Sequence, residues 1–388
     1  MKILMINTVC GITSTGRICT DLAQALDKEG HEVKIAYGRE PVPDQFSKYA
    51  VRIGADLDVK IHGLKTRFFD KTGFGSKKST IEFIEFVREY NPDIIHLHNI
   101  HGYYINMEVL FKYLKEEFKG KVIWTLHDCW SYTGHCAYYD FEKCDLWKTG
   151  CQKCPQKAQY PKSILFSNAK NNYTNKKQLF NGVNNMILVT PSKWLADEVN
   201  KSYLKDYKVV VINNGINTNI FKPNKSDIKE RFNIKDKKII LGVAAVWDRR
   251  KGLSTFIDLA KKINESYQIV VIGVTEAQKK ELPENIIGLT RTNSPEELAN
   301  WYAAADIFLN PTLEDNYPTT NIEAIACDTP VITFDTGGSP ESAQMYGKVV
   351  GQNIDEILKA IYQNSFKKNI EDKSVEKMIS DYMELYSV

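Results

Sequence analysis

Residues 310–340 read NPTLEDNYPTTNIEAIACDTPVITFDTGGSP, and this stretch indicates a strand, a loop and a helix in succession. A short apolar strand ends at Leu309, and the loop that follows is rich in Pro, Asn and Thr. The helix is predicted to begin near Asn321, directly after the loop. Because the start of a helix presents unpaired N–H groups and the positive end of the helix dipole, the stretch is typical of a site that binds an anion such as a diphosphate.

Carboxylates flank this predicted anion site. Glu314 and Asp315 lie in the loop, and Glu323 follows in the first helical turn. A carboxylate beside a phosphate would repel it, so we expect these side chains to accept hydrogen bonds from sugar hydroxyls. The stretch therefore predicts a nucleotide-sugar site. For Glu323 a structural alternative stands beside this one, because Thr320-x-x-Glu323 also has the spacing of a capping box.

Apolar segments typical of buried strands alternate with helical patterns along the whole chain. Strands are expected on either side of a polar break at residues 224–226, at 2–7, 31–37, 93–98, 122–126 and 186–190, then at 238–243, 268–274, 286–289, 307–309 and 331–334. This pattern predicts an α/β protein with two parallel sheets, and hence two Rossmann-like domains that face each other across a cleft. The expected domains are residues 1–224 and 225–372, followed by an amphipathic helix in residues 373–388.

Composition narrows the class of protein. The chain has 388 residues, which suits two α/β domains, and its net charge of +3 is too small to indicate nucleic-acid binding. The apolar run of residues 1–7 lacks the length and cleavage site expected of a signal peptide, and no run approaches the roughly 18 to 20 apolar residues that a membrane span needs. We therefore expect a cytoplasmic protein, whose eight cysteines are thiols or metal ligands rather than disulfides.

The stretch 310–340 resembles the signature of the family-4 retaining glycosyltransferases of GT-B fold, in which two glutamates separated by seven residues bracket the donor. The segments HLHNIHGYYIN (96–106), HDCW (127–130) and GHC (134–136) are similar to those of bacterial capsule and colanic-acid-type members. The resemblance implies transfer of a hexosyl or N-acetylhexosaminyl group, with retention, from a nucleotide diphosphate, UDP rather than GDP. It implies a glycan or polyprenyl-diphosphate-linked acceptor in surface polysaccharide biosynthesis. It also implies that the last helix packs back on the first domain.

The resemblance assigns donor-binding roles. Asp315 stands where the family has its first glutamate and is one methylene shorter, so either Asp315 or Glu314 would serve. Lys251 matches a lysine that binds the diphosphate, although the accompanying arginine is replaced here by Ala245. The remaining implied donor-binding residues are Gly16, Arg249, Arg250, Arg291, Asn316, Tyr317, Pro318, Thr319 and Thr320. From the residues alone, the basic run around Lys251 is equally compatible with a solvated turn.

Fixed cations would neutralise the leaving group, so no catalytic metal is expected. The D-x-D at Asp56-Leu57-Asp58 is expected in a polar connecting stretch at the surface.

Histidines gather at predicted strand ends in the first half. His127 follows the strand 122–126, where α/β proteins place functional residues, and is the candidate catalytic histidine. The alternative is a histidine satisfied by its neighbour Asp128. His96 is expected inside the sheet packing. The resemblance places His98, His101 and Tyr103 near the acceptor, whereas their proximity alone would also fit a metal site.

Four cysteines lie close together in a predicted insert at residues 129–160. They are Cys136, Cys144, Cys151 and Cys154, and the last two form a Cys-x-x-Cys. Because a small irregular insert has little core of its own, a structural zinc bound by four thiolates would supply folding energy. Reduced thiols are the alternative.

Residues 64–78 interleave basic and aromatic side chains, as a segment resting on an anionic membrane does. The alternative is a solvated face.

Two other functions are kept open. A nucleotide-sugar epimerase shares the fold, and a non-catalytic glycan-binding or activating subunit would suit the replacements at Asp315 and Ala245.

Overall fold

The computed structural model describes residues 1–369 and 371–387. It divides into two compact units. The first comprises Met1–Asn213 together with the residues from Ile379 onward, and the second comprises Asn214–Met378. No helix of the described residues is both long enough and apolar enough to cross a membrane.

The first unit is built on a parallel sheet of seven strands in the order β3-β2-β1-β4-β5-β6-β7. The strands are β1 Lys2–Asn7, β2 Glu32–Tyr37, β3 Ala50–Arg52, β4 Ile94–Leu97, β5 Lys121–Thr125, β6 Met186–Thr190 and β7 Lys208–Val211. The helices are α1 Thr13–Lys28, α2 Asp56–Phe69, α3 Lys77–Tyr90, α4 Met107–Glu116, α5 Leu146–Thr149, α6 Ala169–Phe180 and α7 Lys193–Val199. Central strands such as β1 and β4 are buried on both faces because helices cover the sheet on both sides.

The second unit repeats this plan with a parallel sheet in the order β10-β9-β8-β11-β12-β13. Its strands are β8 Lys238–Val243, β9 Tyr267–Ile272, β10 Ile286–Leu289, β11 Ile307–Asn310, β12 Val331–Phe334 and β13 Gly347–Val350. Its helices are α8 Ile228–Arg231, α9 Leu253–Ala260, α10 Glu276–Glu281, α11 Pro295–Ala304, α12 Thr319–Ala326, α13 Ser339–Ala343 and α14 Ile354–Gln363. The last helix, α15 Val375–Ser387, begins in this unit and ends in the first.

In each sheet the strand order reverses at one point, so that strands earlier in the chain lie on one side of it and later strands on the other. In the first it lies between β1 and β4, and in the second between β8 and β11. Loops after these strand pairs diverge and leave a crevice at the carboxyl ends, which is where open α/β sheets bind ligands. These two crevices are therefore where functional side chains are to be sought.

The expected fold class, two Rossmann-like α/β domains, is confirmed. The division between the units falls after Asn213 rather than after residue 224, because Ile216 and Phe221 pack in the core of the second unit. The end of α15 packs on the first unit through Tyr382, whose hydroxyl lies 2.9 Å from Thr125 Oγ1. The expectation of a connecting stretch at residues 56–58 is wrong, because these residues form the first turn of α2.

Candidate active site

Lys251 is positioned by a tight turn after β8. Residues Arg249–Lys251 form a 3-10 turn that is capped by Asp248. The Asp248 carboxylate accepts hydrogen bonds from the backbone N–H groups of Arg250 and Lys251. Gly252 then adopts a φ of +76°, and a Cβ there would lie 2.2 Å from the carbonyl oxygen of Pro311. Only glycine allows this approach, which brings the turn against the loop that follows β11.

Lys251 and Asp315 form an ion pair at this point. The Lys251 Nζ lies 2.5 Å from Asp315 Oδ2, and both side chains are largely buried. The other carboxylate oxygen of Asp315 accepts a hydrogen bond from the N–H of Asn316 at 2.9 Å. Gly337, at a φ of +54°, allows the chain to pass so close that a Cβ would lie 2.1 Å from the Asp315 carbonyl oxygen. Contacts on several sides therefore hold the pair in place.

Glu314 differs from Asp315 in its surroundings. Its side chain is buried, and its backbone carbonyl accepts hydrogen bonds from Arg250 Nη1 at 3.0 Å and from Thr312 Oγ1 at 3.0 Å. Arg250 thereby braces the loop, while Arg249 is exposed at the same turn. Of the two carboxylates considered for the first donor position, Asp315 is the one paired with Lys251.

Helix α12 begins at Thr319, with Pro318 as the N-cap and no side-chain cap. The capping-box alternative for Glu323 is therefore wrong, because Thr320 is already the second helical residue. Glu323 is buried, and its Oε2 accepts a hydrogen bond from the Tyr302 hydroxyl at 3.1 Å. A buried carboxylate held by a phenol has a fixed position from which it can accept a further hydrogen bond.

The other predicted donor-binding residues of this unit divide by exposure. Asn316, Tyr317 and Pro318 are buried in the loop, and Thr319 and Thr320 are half-buried at the start of α12. Arg291 is exposed and follows β10, two strands away from β8 in the sheet. The loop, Lys251 and α12 thus come together at one end of the sheet, whereas Arg291 lies apart in sheet order.

A chain of histidines occupies the crevice of the first unit. His98 Nδ1 lies 3.0 Å from His127 Nε2, and the His96 and His98 rings are 4.0 Å apart between centroids. His96 is fully buried, as expected, between the Tyr386 hydroxyl at 2.6 Å and Thr125 Oγ1 at 2.8 Å. His98 is therefore one partner of His127, which also interacts electrostatically with Asp128, and the alternative of a histidine satisfied by Asp128 stays a prediction.

Asp128 also lies against His101. Asp128 Oδ2 lies 3.0 Å from His101 Nε2, and its Oδ1 accepts the N–H of Trp130 at 2.9 Å. Burial alone would raise the pKa of Asp128, but the His101 ring and the Trp130 N–H outweigh it and hold this pKa below its usual value. His101 Nδ1 also contacts the hydroxyl of Tyr160 at 3.0 Å. His101 is thus hydrogen-bonded at Nδ1, whereas its Nε2 lies close to the Asp128 carboxylate without hydrogen-bond geometry.

Burial keeps His96, His98 and His127 neutral at pH 7. It lowers the pKa of His127 to about 4 and that of His96 to about 3, and it lowers the pKa of His98 well below 6.5. The His98 Nε2 has no hydrogen-bond partner among the described residues. Neutral imidazoles can accept a hydrogen bond from a hydroxyl, so this crevice suits a polyol better than an anion.

Gly16 and Tyr103 lie in the same unit. Gly16 is in the first turn of α1, and its carbonyl accepts the N–H of Gly11 at 3.1 Å, which folds the loop after β1 onto the helix. Tyr103 is half-buried and lies 5.9 Å from the guanidinium of Arg39. Within residues 1–369 and 371–387 no group of three or more His, Cys, Asp or Glu side chains could hold a metal, so the histidines form no such cluster.

Comparisons with known proteins agree with this geometry. Residues 15–220 match the model of Glycosyltransferase Family 4, and residues 224–379 match that of Glycosyl transferases group 1. The chain belongs to glycosyltransferase family 4. WcaC of Escherichia coli (strain K12), assigned to colanic acid biosynthesis as a glycosyl transferase, is 24% identical over 100% of this chain and 99% of its own.

Solved structures share the fold of this family-4 glycosyltransferase. Sucrose-phosphate synthase of Thermosynechococcus elongatus superimposes with a TM-score of 0.72 at 17% identity, over 100% of this chain and 98% of its own. Anabaena Alr3699/HepE, solved in complex with UDP, gives 0.67 at 13% identity over 100% of both chains. GT-B structures are therefore its structural neighbours.

The four clustered cysteines of this family-4 chain lie in or against the core of the first unit. Cys136 and Cys154 are hydrogen-bonded to each other, which raises the pKa of Cys136 and lowers that of Cys154. The N–H of Gly134 donates to Cys151 Sγ at 3.1 Å, and Cys144 is half-buried. Since the described residues contain no metal-binding group of three, the geometry adds no support for the zinc, which stays a prediction.

Several contributors to both crevices were not found from the sequence. Tyr302 holds Glu323, while Thr125 and Tyr386 hold His96. Their partners lie 21, 29 and 290 residues away along the chain. No local spacing connects residues so far apart, and only the strand order brings them together.

Proposed function

We propose that this glycosyltransferase moves a hexosyl or N-acetylhexosaminyl group, with retention, from a nucleotide diphosphate, UDP in preference to GDP. The acceptor is a glycan or a polyprenyl-diphosphate-linked glycan of a bacterial surface polysaccharide such as a capsule. The assignment of WcaC to colanic acid biosynthesis and the UDP bound to HepE support this choice. The observation that carries the proposal is the Lys251–Asp315 pair at the point where the strand order of the second sheet reverses.

Donor binding follows from the chemistry of this pair. Lys251 supplies a fixed positive charge for the diphosphate, and the N–H groups at the start of α12 supply further donors. Asp315 and Glu323 accept hydrogen bonds from the sugar hydroxyls. Because the ammonium is held by Asp315 before the donor arrives, little reorganisation is needed when it meets the diphosphate.

In the proposed reaction the bond between the anomeric carbon and the phosphate oxygen breaks as the acceptor oxygen bonds to the same face of the sugar. The departing phosphate oxygen takes the acceptor's proton. Lys251 stabilises the charge that grows on the diphosphate, so no catalytic metal is required. Neutral His127, held by His98, accepts a hydrogen bond from a sugar hydroxyl, and His98, His101 and Tyr103 lie on the acceptor side.

The proposed acceptor also bears on the cellular location of the enzyme. A polyprenyl-linked acceptor is confined to a membrane, so we propose a cytoplasmic enzyme that contacts the inner face of the plasma membrane peripherally. The segment 64–78 is the candidate for this contact, with a solvated face as its alternative. In the structure it comprises the end of α2, the loop that follows and the first two residues of α3.

The test is donor turnover by the purified chain. The protein is incubated with UDP- and GDP-sugars without acceptor, and release of nucleotide and the anomeric form of the free sugar are followed by NMR. Slow release of free sugar with retained configuration, faster with UDP-sugars, is the expected result. Inversion at C2 without release would assign an epimerase, and nucleotide-sugar binding without turnover would assign a binding subunit.

A further inference from the structure

Helix α2 turns an apolar stripe to solvent. Leu57, Ile61, Leu64 and Phe68 recur at intervals of four, three and four residues, which places them on one face of the helix. Their exposed fractions are 67%, 44%, 56% and 39%. The opposite face carries buried His62 and Thr66 instead. Surface helices ordinarily bury their apolar stripe, so this arrangement is reversed.

A second exposed segment adjoins the helix. Ile164, Leu165 and Phe166 are consecutive and are 48%, 56% and 58% exposed. The N–H of Ile164 donates to the carbonyl of Arg67 at 2.7 Å, and the ring of Phe166 stacks on that of Phe69 at 6.2 Å between centroids. The two segments therefore form one surface, here named the apolar face, which consists of Leu57, Ile61, Leu64, Phe68, Phe69, Ile164, Leu165 and Phe166.

The apolar face concentrates exposed hydrophobic side chains. Among the residues that the structure describes, eight of the fifteen exposed large hydrophobic side chains lie on it. Single exposed hydrophobic residues need no explanation, but a contiguous set of this kind marks an interaction site. The concentration therefore calls for an occupant.

Buried polar contacts hold this face in its shape. His62 Nε2 accepts the N–H groups of Gly73 and Gly75 at 3.0 and 3.1 Å. Asp70, directly after α2, pairs with His135 and accepts the N–H of Asn168 at 2.8 Å. These contacts fix the end of α2 to the segment that carries Ile164–Phe166. The exposed side chains therefore belong to segments that buried hydrogen bonds and an ion pair hold in place.

Cations surround the apolar face. Lys60 and Arg67 flank the stripe of α2 on one side and Lys65 flanks it on the other, and all three are exposed. Lys71 and Lys162 add exposed positive charge next to the two segments. The carboxylates of α2 are engaged at its first turn, since Asp56 pairs with Arg52 and Asp58 accepts the N–H of Ala55. The rim of the face is therefore positive.

We propose that the apolar face docks on an anionic lipid bilayer, with its hydrophobic side chains entering the headgroup region and its basic rim contacting lipid phosphates. Apolar side chains flanked by Lys and Arg are the pattern of helices that lie in a membrane interface. A second copy of the chain is a poorer occupant, because pairing this face with itself would oppose two positive rims. The proposal rests on the proposed function only in the lipid-linked nature of the acceptor.

The experiment is vesicle co-sedimentation, which needs no catalysis. The probes are vesicles of phosphatidylcholine alone and of equal parts phosphatidylcholine and phosphatidylglycerol. The chain should bind the anionic vesicles at least about tenfold more tightly, and added salt should weaken that binding. Leu165→Ser/Phe166→Ser should lower anionic binding at least about tenfold, and Lys65→Glu/Arg67→Glu should do the same.

A matched control is Tyr362→Ser, which removes a side chain of similar exposure, 48%, from the second unit and should bind as the wild type does. Because the replaced residues are exposed, circular dichroism should show that each variant folds. Equal binding to both vesicles, or unchanged binding by Leu165→Ser/Phe166→Ser, overturns the proposal. So does a dimer in sedimentation that these variants dissociate, which would assign the face to a second copy. Slow release of UDP from UDP-glucose without acceptor should persist in these variants, so a failure to dock is distinguishable from a failure of the proposed function.

Discussion

The ammonium nitrogen of Lys251 lies 2.5 Å from a carboxylate oxygen of Asp315, although the two residues are 64 positions apart in the chain. Each follows one of the two neighbouring strands, β8 and β11, between which the strand order reverses. A cation suited to a diphosphate and a carboxylate suited to a sugar hydroxyl are thus assembled before any donor binds. Their proximity is the structural basis of the first predictions.

Replacing Lys251 tests the cation. Lys251→Ala should lower the rate of sugar transfer by about 10²–10³, as loss of one preorganised group facing a developing oxyanion does. The control is Lys261→Ala, which removes an exposed lysine paired with Asp258 at the end of α9 and should leave the rate unchanged. Steady-state kinetics of both variants make the comparison. Equal rates for Lys251→Ala and the wild type would remove Lys251 from the proposed mechanism.

Metal removal tests the same mechanism from another side. Since Lys251 and the N–H groups of α12 supply the positive charge, EDTA should leave the transfer rate unchanged. The measurement is UDP release before and after chelation, with circular dichroism to show that the fold is intact. A strict requirement for Mg²⁺, restored on adding the ion, would contradict metal-free transfer.

Glu323 and Tyr302 separate a donor-binding role from a structural one. Glu323→Gln should lower turnover at least about tenfold, because the carboxylate would no longer accept from the sugar as a charged group. Tyr302→Phe removes only the phenol that donates to Glu323 at 3.1 Å and should cost much less turnover. Kinetics and melting temperatures of both variants are compared. Equal losses of activity would show that turnover depends on the hydrogen bond between Tyr302 and Glu323 and not on a contact between Glu323 and the sugar.

His98 and His127 should act as one unit. His98→Gln and His127→Gln each break the 3.0 Å contact between the two rings, so the double variant should lose little more activity than His127→Gln alone. A double-mutant cycle on the transfer rate measures this coupling. Additive losses would show that the two histidines work independently.

Much of the fold could be predicted because the central strands are uninterrupted apolar runs. The predicted and observed bounds of β1, β6, β8, β10 and β12 are the same. Strands β3, β7 and β13 were missed because they are only three or four residues long and are half-exposed at the edges of their sheets. Short segments of that kind carry no clear burial pattern.

The site was predictable only in part, for a related reason. The loop 310–318 and Lys251 could be singled out, but their contact depends on the left-handed turn at Gly252, which sequence spacing does not reveal. The capping box at Thr320 failed because Pro318 starts α12 earlier than the spacing implies. The exposure of the apolar stripe on α2 could not be predicted either. Residue spacing shows which side chains share a face of a helix, but it does not show whether that face is buried or exposed.

The buried histidines predict how stability depends on pH. Burial lowers the pKa of His62 to about 4, from an ordinary value of 6.5, so the unfolded chain takes up this proton at a higher pH than the folded chain. The free energy of unfolding should therefore be highest above pH 6.5 and should fall as the pH drops from 6.5 toward 4. His62→Gln keeps an acceptor for the N–H groups of Gly73 and Gly75 but cannot titrate, so it should flatten the decline by about 1.4 kcal/mol per pH unit. Urea unfolding of both proteins across this range measures the two slopes, and parallel slopes would show that His62 does not take up a proton on unfolding.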